Sequence, residues 1–112
     1  MTADEARALA LALPEAGEED HHGRPSFRIR GKIFATLWTP EALNVMAGPD
    51  RIAAAVEEAP ATCSEVYWGR RLAAVRVALP AADPGLVEDL LADAWARRAP
   101  RRLLADRGES HG

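Results

Sequence analysis

The segment Ser26-Phe27-Arg28-Ile29-Arg30-Gly31-Lys32-Ile33-Phe34-Ala35-Thr36-Leu37-Trp38 carries the clearest structural signal in the chain. Phe27 and Ile29 alternate with Arg28 and Arg30, the period of a strand with one dry face and one wet one. Gly31 supplies a turn, and the run after it is rich in the β-branched and aromatic residues that suit a pleated surface. The segment reads as a β-hairpin. A three-residue loop of Arg30, Gly31 and Lys32 pairs Ile29 with Ile33 and Phe27 with Ala35. Phe27, Ile29, Ile33, Ala35 and Leu37 then share a uniformly apolar face, assigned to the core. Arg28, Phe34, Thr36 and Trp38 share the other. A loop one residue shorter mixes the faces, which burial penalises.

Toward the N-terminus, Thr2 and Glu5 have capping-box spacing. Ala6, Leu9, Ala10 and Leu13 recur at helical spacing after them, and Pro14 ends the helix at Leu13. Pro14 to Gly17 reads as a turn, and Glu18 to His22 as a short edge strand or a loop. Toward the C-terminus, Thr39-Pro40 is a break. Leu43 to Ala47 reads as a third strand, closed by Gly48. Ile52, Ala53, Val56 and Ala59 mark a short helix between Pro49 and Pro60. Tyr67-Trp68-Gly69 reads as a bend and Leu72 to Leu79 as a strand. Asp83 caps a helix with Pro84 in its first turn, and Leu86, Val87, Leu90, Leu91, Ala94 and Trp95 stripe it. Arg97 and Arg98 suit its C-terminus electrostatically. Pro100 interrupts it, Arg101 to Ala105 read as a further turn, and residues 106–112 as a disordered tail. The expected fold is α+β: one domain over residues 1–105, with an antiparallel sheet flanked by N-terminal and C-terminal helices.

The chain has 112 residues, enough to bury a core without staples. A single cysteine, Cys63, excludes an intramolecular disulfide. No apolar run approaches a membrane span, and the acidic start Met1-Thr2-Ala3-Asp4-Glu5 lacks the basic region of a signal peptide, so a cytoplasmic location is expected. Net charge is −3, against the basic footprint usual for DNA binders. The charge is uneven, however. Acids dominate as far as His22, and then three basic stretches appear: Arg24, Arg28, Arg30 and Lys32; Arg70, Arg71 and Arg76; Arg97, Arg98, Arg101 and Arg102.

Three constellations are candidates for chemistry. The basic hairpin can contact phosphates and release counterions, a two-stranded ribbon can enter a major groove, and Phe34 and Trp38 can stack on bases. The bland alternative packs those aromatics under a helix or subunit and leaves the arginines as a solvated face. Glu18-Glu19-Asp20-His21-His22 offers metal-ligand types, or simply an acidic edge strand. Cys63 has no histidine near it in sequence and reads as a small buried hydrophobe. No phosphate loop, paired-cysteine zinc pattern or nucleophile elbow is present.

Leu13-Pro14 and Gly17, the acidic patch, Gly23 to Ala35, Leu90-Leu91-Ala92-Asp93-Ala94-Trp95 and Ala99 to Leu103 together resemble the MmcQ/YjbR family over roughly residues 5–104. The resemblance implies a compact α+β domain of frataxin-like topology and a DNA-binding label. It brings no catalytic residues. The expected function is a non-enzymatic binding module that takes DNA through Arg24, Arg28, Arg30, Lys32, Phe34, Trp38, Arg70, Arg71 and Arg76. It is expected to have no cofactor or metal and to act as a monomer or weak homodimer. The alternative is a small-ligand, metal or protein-interaction module. Convergence of the three basic stretches on one face favours the first; scatter, or burial of Phe34 and Trp38 at a partner, favours the second.

Overall fold

Tight turns made by left-handed residue pairs set the register of the sheet. His22 (φ 53°) with Gly23 (φ 83°), and Arg30 (φ 52°) with Gly31 (φ 79°), both have positive φ at the two central positions. This is the type I′ turn, whose twist matches the strands it joins. Glycine takes the second position without steric cost, and a side-chain-bearing residue is strained at the first. The turns join β1 (Ala16–His21), β2 (Arg24–Ile29) and β3 (Lys32–Thr39) into an antiparallel meander. β4 (Ala42–Val45) follows, then helix α2 (Pro49–Glu58), then the hairpin of β5 (Cys63–Trp68) and β6 (Arg71–Ala78) around Gly69 (φ 63°). The strand order is β1-β2-β3-β4-β6-β5, antiparallel throughout. The computed structural model describes residues 1–104; the expected disordered tail lies outside the described residues.

The Arg30-Gly31 loop is one residue shorter than expected. It pairs Ile29 with Lys32 and Arg28 with Ile33. A β-bulge at Phe34 then takes up one residue, and Phe27 still meets Ala35. The bulge corrects the expected faces at two positions. Phe34 turns into the core, fully buried, and Ile33 joins Arg28 on the opposite face. The physical reason lies in Phe34-Ala35-Thr36-Leu37, which does not alternate. Only a bulge buries Phe34 together with Ala35 and Leu37.

Helix α1 (Ala3–Leu11) starts at the Thr2–Glu5 capping box, which holds the Glu5 carboxyl below the usual range through the Thr2 amide and hydroxyl. α2 spans Pro49–Glu58, and α3 spans Pro84–Arg98 with Asp83 Oδ2 accepting from the Leu86 amide at 3.1 Å. α3 lies against both α1 and α2 and packs on β3 and β4, while α2 covers β5 and β6 and α1 sits beside β1. The helices thus form one layer on one face of the sheet. Phe27, Ile29, Phe34, Leu43, Val45, Val75 and Val77 fill that face against Ile52, Val87, Leu90, Leu91 and Trp95. Trp95 Nε1 donates to Pro14 O at 3.0 Å, fixing the turn between α1 and β1. Among the described residues, no helix is long and apolar enough to cross a membrane.

Candidate functional site

On the face the helices leave open, one row crosses all six strands in register: Glu19, Ser26, Thr36, Asn44, Arg76 and Ser64. Every member is polar. The parallel row on the covered face is apolar in its four inner strands, running Phe27, Ala35, Val45 and Val75. Ser26, Thr36 and Asn44 are nevertheless sunk to 0%, 5% and 6% exposure. Burying such groups is costly unless they are bonded. The Ser26 hydroxyl donates to Glu19 O at 2.8 Å and accepts from Arg28 Nε at 3.1 Å. Asn44 Oδ1 accepts from Arg76 Nε at 2.9 Å.

These bonds orient the arginines. Arg28 and Arg76 are held through Nε, and Arg24 Nε donates to Trp38 O at 2.9 Å. Their terminal Nη groups make no hydrogen bond among the described residues. Three guanidinium forks are therefore anchored at the neck and open at the tip, the arrangement that binds an oxyanion in two-point fashion. Glu19 approaches Arg28 Nε only at 3.8 Å and is largely exposed, so it neutralises that fork weakly. The Trp38 ring, 39% exposed, has the Arg24 guanidinium carbon 3.8 Å and the Arg76 carbon 5.1 Å from its centroid. Both contacts lie in cation–π range.

Thr36, Asn44 and Arg76 of that row form the floor of a concavity of about 580 Å³, within the range of small-molecule sites. Its lining carries Arg24, Arg28, Lys32, Arg76 and Arg98 and no carboxylate. All this sits in a chain of net charge −3. His21, His22, Trp68, Ile33 and Met46 complete the walls. The His21 and His22 rings meet edge to face, 4.5 Å apart.

One or more members of each basic stretch converge here, but not all of the expected residues do. Arg24, Arg28, Lys32, Trp38 and Arg76 line the concavity. Phe34 is in the core and offers no stacking surface. Arg30 turns to Glu15, 2.7 Å away. Arg70 and Arg71 lie at the exposed β5–β6 turn outside the concavity, with Arg71 5.3 Å from the Trp68 ring. The basic hairpin is also not a free ribbon, since β1 and β4 flank it on both sides. It has no projecting edge to place in a major groove.

The Thr36-Asn44 floor was not singled out from the sequence, and Arg98 entered only as one member of the third basic stretch. Polar residues recurring at core spacing inside apolar strands were the available signal for the floor. Nothing set Arg98 apart from its neighbours in that stretch, because a basic pair at a helix end has a sufficient local explanation.

The acidic segment disperses into local bonds: Glu18 to Arg7 at 2.7 Å, and Asp20 to the Gly23 amide at 3.2 Å. Among the described residues, no group of three or more histidine, cysteine or carboxylate side chains could hold a metal. Cys63 is buried on the covered face, and burial pushes its thiol up, away from the nucleophilic thiolate.

The YjbR family model matches residues 11–97, most of the chain. The chain belongs to the YjbR family. Among solved structures, this YjbR protein is similar to the Deinococcus radiodurans protein DR2400, described as a DUF419 domain. The identity is 19%, the TM-score is 0.70, and 84% of this chain and 75% of that one are covered. At that identity the likeness establishes the fold. No curated protein matches the chain.

Proposed function

We propose that this YjbR domain is a non-catalytic binding module whose open sheet face takes nucleic acid, and single strands in preference to duplex. The observation that carries the reading is the concavity itself, with Arg24, Arg28, Lys32, Arg76 and Arg98 around one hollow that no carboxylate lines. Phosphates are the obvious counter-charge, and their neutralisation releases counterions. The preference for single strands has a geometric basis. A duplex presents a convex phosphate surface and keeps its bases stacked inside. Trp68, 53% exposed, and Trp38 lie in the walls of a hollow, where only an unpaired base can reach them. The absence of a thiol or carboxylate from the lining supports a binding role over a catalytic one.

Volume favours one second reading, a compact anionic small molecule, because about 580 Å³ lies within the range of ligand sites.

Fluorescence anisotropy of labelled single-stranded and duplex oligonucleotides, titrated at several salt concentrations, separates the two. The expected result is micromolar single-strand binding that weakens with salt at roughly −0.7 in log–log slope per phosphate contact. It should fall about tenfold or more in the double variant Arg28→Ala, Arg76→Ala, with duplex binding weaker throughout. No binding at low salt, where electrostatics are strongest, overturns the nucleic-acid reading and leaves the small anion.

A further inference from the structure

Arg98 is the last residue of α3 and the cation of the concavity whose neck is not tied down. Its Nε is buried and has no hydrogen-bond partner among the described residues. A buried charged donor left open asks for an explanation. Loose placement is not one, because the end of α3 is clipped to the loop after β4. Arg97 Nη1 donates to Met46 O at 3.1 Å and to Ala47 O at 2.9 Å, and Asp93 Oδ2 accepts from the Gly48 amide at 2.8 Å. Met46 lies beside Phe34, whose carbonyl accepts its amide at 2.9 Å, and Met46 lines the hollow with Ile33. The clip therefore holds Arg98 at the end of the hollow bounded by the β2–β3 turn, where Lys32 and Arg28 also stand. Trp38 and Arg24 mark the other end, five residues along β3 from Ile33 and about 16 Å away at strand rise.

We infer that the end of the hollow beside the β2–β3 turn is a phosphate subsite, in which Arg98, with Arg28 and Lys32, holds the terminal phosphate of the ligand. The inference rests on reading the open face as an anion site. A terminal phosphate carries roughly −1.5 to −2 and three acceptor oxygens, which suits three converging cations better than the single charge of an internal phosphodiester. The turn and α3 bound that end of the hollow, so it receives the end of a strand. Arg98 lines that end of the hollow with a guanidinium whose buried Nε no protein group has claimed.

The test uses the full chain and identical short single strands bearing a hydroxyl, a 5′-phosphate or a 3′-phosphate, with a nucleoside monophosphate as a separate probe followed by tryptophan fluorescence. One of the two end-phosphorylated strands should bind about tenfold tighter than the hydroxyl strand, the scale of one charge-assisted two-point contact. Arg98→Gln should abolish that gain, so that phosphorylated and hydroxyl strands bind alike whatever affinity both lose in common, and Arg98→Lys should keep part of the gain. A thermal melt confirms that both variants fold. Equal binding of all three strands, or a gain that survives Arg98→Gln, overturns the subsite and leaves the nucleic-acid reading standing. Arg98-dependent binding of the monophosphate with no strand binding overturns the nucleic-acid reading and supports the subsite. Binding of neither overturns both.

Discussion

Phe27, Ala35, Val45 and Val75 form one row across β2, β3, β4 and β6, and Ser26, Thr36, Asn44 and Arg76, one position over on each strand, form another on the opposite face. The two rows share the same backbone and sit at similar depth, yet only the first lies under helices. The covered row contributes to stability by removing apolar surface from water, with roughly 1.5–3 kcal/mol for each large side chain fully buried. The open row contributes little, because its buried hydroxyl and amide groups exchange water for hydrogen bonds at modest net gain. An apolar open face would be no less stable. The polarity of that row is what the binding role proposed for the open face requires.

The contrast can be broken most severely by moving a charge across the sheet. Val75→Lys places an unpaired cation on the fully covered face, at a cost of several kcal/mol, comparable with the whole stability of a domain this size. The expected outcome is an unfolded chain by circular dichroism at 25 °C. Phe34→Ala comes next. If the bulge buries Phe34, truncation costs about 3–5 kcal/mol in urea unfolding. A loss below about 1 kcal/mol would instead place the ring on the open face. Arg76→Leu should cost about 1–2 kcal/mol of stability, because it strips buried Asn44 Oδ1 of its donor, while lowering anion affinity about tenfold, the loss of one charge-assisted two-point contact. Unchanged anion affinity in a folded Arg76→Leu variant would show that Arg76 is structural.

Thr36→Val is nearly isosteric and removes one floor hydroxyl. The melting temperature should hold or rise by a few degrees, and affinity should fall about threefold, the scale of one neutral hydrogen bond. The smallest effect belongs to the rim. His22 holds φ 53° in a type I′ turn, where asparagine is the preferred residue. His22→Asn should raise stability by about 0.5 kcal/mol, read as a higher urea midpoint at unchanged slope.

Legibility followed burial. The helices were readable from caps and stripes, because Thr2, Glu5, Asp83 and Pro84 act within one turn of their own position. β2, β3 and β6 were readable because they lie inside the sheet, and their alternation reports one dry face. β1 and β5 are its edges, polar or exposed along most of their length. One was left open between strand and loop, and the other was seen only as a bend at its last residues. Edge strands have one neighbour and little apolar demand, so they leave a faint period.

The site followed a different rule. Local charge placed Arg24, Arg28, Lys32 and Arg76 among the candidates, but it equally proposed Arg30, Arg70 and Arg71, which the fold sends elsewhere. Composition and periodicity were sufficient for an α+β chain with a basic hairpin, because propensity, capping and alternation are properties of neighbours in sequence. Which arginines share a hollow, that Phe34 turns inward and Ile33 outward, and that Arg98 arrives from the far end of the last helix are consequences of a bulge and a helix clip. Both depend on contacts between residues far apart in the chain, and no local pattern encodes them.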